Sequence, residues 1–259
     1  MSDHPPCAGC SGQPLAFGFS YAYQPIVDLA ARQIFAHEAL VRGPAGEGAG
    51  TVLAQVNADN RYRFDQACRV RAIETAARLG MQSRLSINFL PNAIQRPDLC
   101  IRSTLEAARL HGFPLERIIF ESVEGERIAD ARWLAEVFRE WQHHGFLTAI
   151  DDFGAGYAGL NLLADFQPDL VKLDMGLVRA VHRHPARQAI VRGVARICEE
   201  LDIPVVAEGV EELDEARCLS DAGIRLMQGF LFCRPLFEGV GEAATLAWPA
   251  LAPQAGGRQ

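Results

Sequence analysis

Between about residues 20 and 230 the chain alternates short apolar runs with longer amphipathic stretches, and that alternation restricts the fold more than any other feature. Runs over 20–27, 32–40, 84–89, 117–122, 147–151, 170–174, 205–208 and 225–228 read as strands, several of them apolar on both faces as in a buried parallel sheet. Helical periodicity separates most of them. In 64–79, Phe64, Cys68, Ala72, Ile73, Ala76 and Leu79 share one face and Gly80 is the stop. In 130–144 the apolar face rests on Trp133, Leu134, Val137, Phe138 and Trp141, with Gly145 after its end. Stretches 188–201 and 212–222 repeat the pattern, and inside the alternation only 44–50 reads as a loop. Six or seven strand–helix units in about 230 residues predict an α/β fold, a modified TIM-type (β/α)8 barrel. The first two strands follow each other without a helix, so the barrel should open on an irregular, antiparallel first strand. The expected organisation is a flexible tail over 1–16, one domain over 17–245 and a disordered tail over 246–259.

Hydrophobic residues at 49% and charged residues at 22% are ordinary for a soluble globular chain and argue against disorder. The formal charge of −7, with no block of Lys or Arg, weighs against binding to DNA or to an anionic membrane. No apolar run approaches the roughly 18–20 residues that span a bilayer. The N-terminus lacks the basic and apolar regions of a secretory signal, so a cytoplasmic protein is expected. Seven cysteines, five of them single, do not form a disulfide framework. Cys7 and Cys10, with His4 nearby, could be half of a zinc site, but no second pair completes it, and the plainer reading is a reduced tail.

The informative residues stand where the apolar runs end. Glu38, Asn88, Glu121, Asp151 with Asp152, Lys172 with Asp174, Glu208 and Gln228 each close one run. In a parallel barrel the C-terminal ends of all strands meet on one face, where sites of this architecture are built. A lone acid after a strand is most often a solvated loop residue; the repetition of polar residues at successive strand ends is much harder to dismiss. Carboxylates gathered there repel one another unless cations neutralise them, and hard oxygen ligands favour Mg²⁺ or Mn²⁺. The adjacent Asp151 and Asp152 could let one carboxylate bridge two ions, the arrangement used in phosphoryl displacement. Gly154 and Gly156 then allow a tight loop whose backbone can approach a phosphate. Asp-Phe-Gly also occurs in protein kinases, but the other kinase segments are missing.

These residues resemble the EAL domain family of cyclic-di-GMP (c-di-GMP) phosphodiesterases. Glu38-Ala39-Leu40 followed by Arg42 is similar to the signature that names the family, and Tyr23-Gln24-Pro25-Ile26-Val27 to its opening strand. Asn88, Glu121-Ser122-Val123-Glu124, the run 151–156 (DDFGAG), Val171-Lys172-Leu173-Asp174, Ala207-Glu208-Gly209-Val210-Glu211 and Gln228-Gly229-Phe230-Leu231-Phe232 match its remaining motifs in order. The likeness runs from about Phe19 to Phe237 and is strongest to EAL domains coupled to blue-light-sensing flavin modules. Ala155 stands where the family usually has threonine, and Val123 where threonine is common; neither change removes a ligand.

The resemblance implies that Glu38, Asn88, Glu121 and Asp151 hold one Mg²⁺ or Mn²⁺ ion, and that Asp151, Asp152 and Glu208 hold a second. It implies that Lys172 orients the attacking water or offsets phosphate charge, that Glu208 assists proton removal, and that Gln228 helps to place the water or the second-ion shell. Glu124 would brace the 151–156 loop, and Gln24, Leu40 and Arg42 would contact c-di-GMP, the product being linear pGpG. It also implies a homodimer packed near that loop, with Gly159, Leu160, Leu162, Leu163 and Phe166 as candidate contacts, although each is as readily a core residue. An upstream sensor protein is a possible partner. A non-catalytic c-di-GMP receptor or protein-interaction module is the alternative; such modules typically lose ligands, and here the expected set is complete.

Overall fold

The apolar runs form strands that close on themselves. The structure, a computed structural model, describes residues 14–122, 131–155 and 159–249. Strand β1 (Ser20–Asp28) pairs antiparallel with β2 (Gln33–Arg42). After β2 come β3 (Arg84–Phe89), β4 (Ile118–Ser122), β5 (Leu147–Phe153), β6 (Leu170–Leu173), β7 (Val205–Ala207) and β8 (Leu226–Gln228), each parallel to the one before. β8 then pairs antiparallel with β1, so the first strand lies between the last and the second and completes the ring. A two-residue strand, β9 (Leu236–Phe237), adds to β1 at Ala22 and Tyr23. This is the (β/α)8-type barrel with one reversed strand that the missing first helix predicts.

Helices α1 (Arg61–Arg78), α2 (Arg102–His111), α3 (Ala131–His143), α4 (Gly159–Asp165), α5 (Pro185–Glu200) and α6 (Leu213–Asp221) lie between the strands in sequence. Periodicity revealed α1, α3, α5 and α6 but not the other two. In α2 the buried positions are Thr104, Ala107 and Ala108, too small and too polar to stand out as an apolar stripe. With seven residues, α4 is shorter than two turns of helix. The expected loop over 44–50 is also cut short, because a short helix, Ala49–Leu53, starts within it.

Two cores result from strand alternation. Outward-facing side chains meet the helices, where Trp141 lies between Phe120 and Phe89 with ring centroids 4.5 and 4.6 Å away. In this layer Arg69 pairs with Asp65 at 3.0 Å, both side chains 2% exposed, and lies over the Trp141 ring. The Arg69 guanidinium also donates to the Cys100 carbonyl and the Thr104 hydroxyl, each at 2.9 Å, tying α1 to the segment of α2. Asp65 accepts from the Leu90 amide at 2.9 Å and so holds the chain where it leaves β3. Inward-facing Ile26, Ala36, Ile119, Ala149, Leu170, Val206 and Leu226 form the second core, an apolar plug inside the ring.

Cys68, Cys100, Cys198, Cys218 and Cys233 are free thiols, while Cys7 and Cys10 lie outside the described residues. Among the described residues no helix is long and apolar enough to cross a membrane.

Removing one member of a buried ion pair strands the other charge, at a cost of about 3–5 kcal/mol. Arg69→Ala should lower the unfolding free energy by that amount, seen as a fall in the urea midpoint at unchanged slope. An unchanged midpoint would contradict the role assigned to the pair.

Candidate active site at the open end of the barrel

Alternation also builds the site. Two residues beyond each plug position the side chain again faces inward, and there the residues are polar: Glu38 after Ala36, Glu121 after Ile119, Asp151 after Ala149, Lys172 after Leu170, Glu208 after Val206 and Gln228 after Leu226. β1 runs the other way, so its member of the layer, Gln24, precedes Ile26. β3 contributes Ser86, in register with Glu38, and Asn88, in register with Glu121.

Lys172 stands at the centre, 1% exposed. Its Nζ lies 2.6 Å from Glu208 Oε1, 2.9 Å from Glu121 Oε2, 3.0 Å from Asp151 Oδ1 and 3.8 Å from Glu38 Oε1. Amides hold Glu38 from the sides: Asn88 Nδ2 donates to Oε1 at 2.9 Å and Gln228 Nε2 to Oε2 at 2.7 Å. The Gln228 amide also donates to Gln24 Oε1 at 3.2 Å, and Gln24 Nε2 donates to the Cys233 carbonyl at 3.1 Å. Gln228 is therefore attached to the first expected ion site, through Glu38. Gly229 follows it where a side chain cannot fit, since a Cβ would collide with the Val210 backbone.

Strict alternation would send Asp152 to the opposite face from Asp151. The β5–β6 register breaks between Ile150 and Phe153, and Asp152 takes a left-handed conformation with φ 53°. The irregularity turns the second carboxylate back, so Asp151, Asp152 and Glu208 offer oxygens within 4.8 Å of one another. Glu38, Glu121 and Asp151 form a second such group, and Asp151 belongs to both.

The charges are out of balance, with five carboxylates around one ammonium. Burial would lower the Lys172 pKa, but Asp151, Glu121, Glu208 and Glu38 outweigh it and keep the ammonium charged. Burial pushes the Glu121 carboxyl up to about 8 against the pull of Lys172, with Glu38 and Asp151 adding to the rise. Burial likewise raises Glu208, and it raises Asp152 with help from Asp151 and Asp174. Carboxylates that resist ionising beside one another, made only of hard oxygen donors and sharing one bridging residue, fit a pair of divalent cations.

Leu40 and Arg42 line a cavity of about 280 Å³ beside Asn88, closed on the far side by Leu53, Phe64 and Asp65. Arg42 donates to its neighbour's carbonyl, Val41 O, at 2.8 Å. A wider depression of about 510 Å³, lined by Arg192, Glu199, Val205 and Leu226, is not lined by any residue of the polar layer. Of the candidate dimer contacts, Leu162, Leu163 and Phe166 are buried in the core, whereas Leu160 is 58% exposed. Glu124 lies outside the described residues. Ser86 was not singled out by sequence, although it is fully buried and its hydroxyl donates to Glu121 Oε1. Its register with Glu38 across the β2–β3 pairing is what places it in the layer.

The EAL domain family matches residues 15–235. The chain is 34% identical over 230 residues to the blue light- and temperature-regulated antirepressor BluF of Escherichia coli K12, covering 88% of this chain and 56% of BluF. It is 30% identical over 161 residues to the cyclic di-GMP phosphodiesterase PdeR of the same organism, covering 61% of this chain and 24% of PdeR. The chain thus spans about half or less of the length of these curated relatives. Among solved structures it resembles a standalone versatile EAL protein from Vibrio cholerae O395 in its c-di-GMP-bound form, with TM-score 0.86, 51% identity, and 88% and 97% of the two chains covered. It also resembles Klebsiella pneumoniae BlrP1 in a manganese and c-di-GMP complex, with TM-score 0.82, 41% identity, and 89% and 58% covered.

Lys172→Met should destabilise the protein in EDTA by about 3–5 kcal/mol, because the surrounding carboxylates lose their one cation. Added Mn²⁺ should recover part of the loss. Thermal melts of both proteins with and without the ion check this, and equal stability in EDTA would refute the central pairing.

Proposed function

Because the chain belongs to the EAL domain family, we propose that it is a cytoplasmic phosphodiesterase that opens c-di-GMP to linear pGpG. The observation that supports this reading is the pair of carboxylate groups, Glu38 with Glu121 and Asp151, and Asp151 with Asp152 and Glu208, joined through Asp151. Glu38, Asn88, Glu121 and Asp151 would hold one Mg²⁺ or Mn²⁺ ion, and Asp151, Asp152 and Glu208 the other. When bound, such ions make water a better nucleophile at neutral pH and offset charge on phosphoryl oxygens. The protein side chains do the rest. Glu208 would accept a proton from the attacking water, whose oxygen bonds to phosphorus in line with the departing 3′ oxygen as the P–O3′ bond breaks, and the 3′ oxygen would take up a proton from solvent water. Lys172 supplies positive charge against the phosphate. Gln228 and Gln24 keep Glu38 oriented, Arg42 reaches a phosphate oxygen and Leu40 packs against the substrate. For Glu124, which lies outside the described residues, the proposal keeps only the role that the resemblance implies, support of the 151–156 loop.

The likeness to an antirepressor favours a second reading, a module that binds c-di-GMP or a protein partner without cutting. The intact ligand set supports the first. The light-regulated relative also makes a sensor protein a fitting upstream partner. Homodimerisation is part of the proposal, with exposed Leu160 at the contact.

Incubation with c-di-GMP and Mg²⁺ or Mn²⁺, followed by chromatography, should yield pGpG, and EDTA should abolish it. Unchanged c-di-GMP in both metals would move the assignment to the receptor reading. Glu38→Ala and Asp151→Ala should lose turnover. Lys172→Ala should lower kcat by about 10²–10³-fold with a smaller effect on KM, as for removal of a charge-stabilising donor. Light scattering at micromolar concentrations should show a dimer that Leu160→Asp weakens; a monomeric parent protein would remove the dimer.

A further inference from the structure

We infer that Ser86 is a positioning residue that fixes Glu121 in the orientation from which it takes a cation, a role that rests on the cation-dependent reading above. Ser86 is the smallest side chain of the polar layer and is fully shielded from solvent. It sits mid-strand in β3, in register with Glu38 on one side and Ile119 on the other. Its hydroxyl donates to Glu121 Oε1, while Lys172 Nζ reaches Oε2 at 2.9 Å. Both oxygens of this carboxylate are therefore held, from β3 on one side and from β6 on the other.

The two donors are not equivalent. Lys172 spreads three N–H groups over four carboxylates, so its hold on any one is divided. Ser86 has a single hydroxyl hydrogen and gives it to Glu121. The terminal torsion of a glutamate is soft, and a carboxylate with one oxygen released can swing. Without the hydroxyl, Oε1 of the buried Glu121 would lose that donor, and the group of Glu38, Glu121 and Asp151 would lose its set geometry. Ligand-supporting partners of this kind typically contribute 10–100-fold to metal affinity.

Calorimetric titration of Mn²⁺ into metal-free protein tests this, using the parent, Ser86→Ala and Ser86→Cys. Cysteine fills the position with a somewhat larger atom but is a weak donor, so with the alanine variant it separates filling of the space from hydrogen bonding. Both variants should bind Mn²⁺ about 10–100-fold more weakly while melting cooperatively in EDTA. At saturating Mn²⁺ their KM for c-di-GMP should match that of the parent. Parent-like affinity in either variant overturns the positioning role, and in the cysteine variant alone it shows that volume matters and donation does not. A parent protein that binds no Mn²⁺ overturns the cation reading itself, and the role of Ser86 with it.

Discussion

A single ammonium group, closed off from water, holds the open end of this barrel together. Lys172 touches carboxylates from β4 and β5 and from the residue after β7, and stands 3.8 Å from one on β2. A buried lysine without partners would discard its proton, and buried glutamates without partners would keep theirs. Each makes the other's charge tolerable. The pairing is incomplete, because one ammonium faces five carboxyl groups, three of which burial holds back from ionising. That excess of hard oxygen donors, above an apolar floor, is what suits the site to divalent cations.

The layering explains how so many polar groups can be enclosed without dissolving the fold. Each inward-facing strand position is assigned by height: apolar at the level of Ala36, Ile119 and Val206, polar one step above. The plug fills the barrel below with apolar side chains, and Asn88, Gln228, Gln24 and Ser86 tie the polar layer together sideways. Asp152 departs from the rule through a local backbone irregularity that brings two successive carboxylates to one place, and Ser86 is polar although it is in register with Ile119.

Much of this was legible in the sequence because barrel strands are short and their ends are marked by abrupt changes of polarity. Glu38, Glu121, Asp151, Lys172 and Glu208 announced themselves in that way, and the absence of a helix before residue 32 announced the reversed strand. Ser86 did not, since a lone serine between Leu85 and Ile87 looks like any small strand residue until its neighbour across the sheet is known. Asp152 was found by its adjacency to Asp151, but the backbone turn that redirects it leaves no signature in composition. The helices α2 and α4 escaped because one buries mostly alanine and threonine and the other is too short to show a period. The apolar residues after the 151–156 loop could be read as core or as contact surface, and only packing separates Leu160 from Leu162 and Leu163.

The position of β1 carries a further consequence, for the order in which the molecule can be assembled. The first strand made is walled on one side by the second and on the other by the eighth, and the amides of Gln24 and Gln228 meet across a separation of 204 residues. Until the eighth strand emerges, a growing chain therefore holds an open sheet with an unpaired edge on β1. Closing so long a loop is entropically slow, and contacts of this kind dominate the folding time of a domain. The ring can shut, and the polar layer can be sealed from water, only as the last strand arrives. Synthesis from one end thus separates the making of the site's first carboxylate from its completion by most of the translation time of the domain.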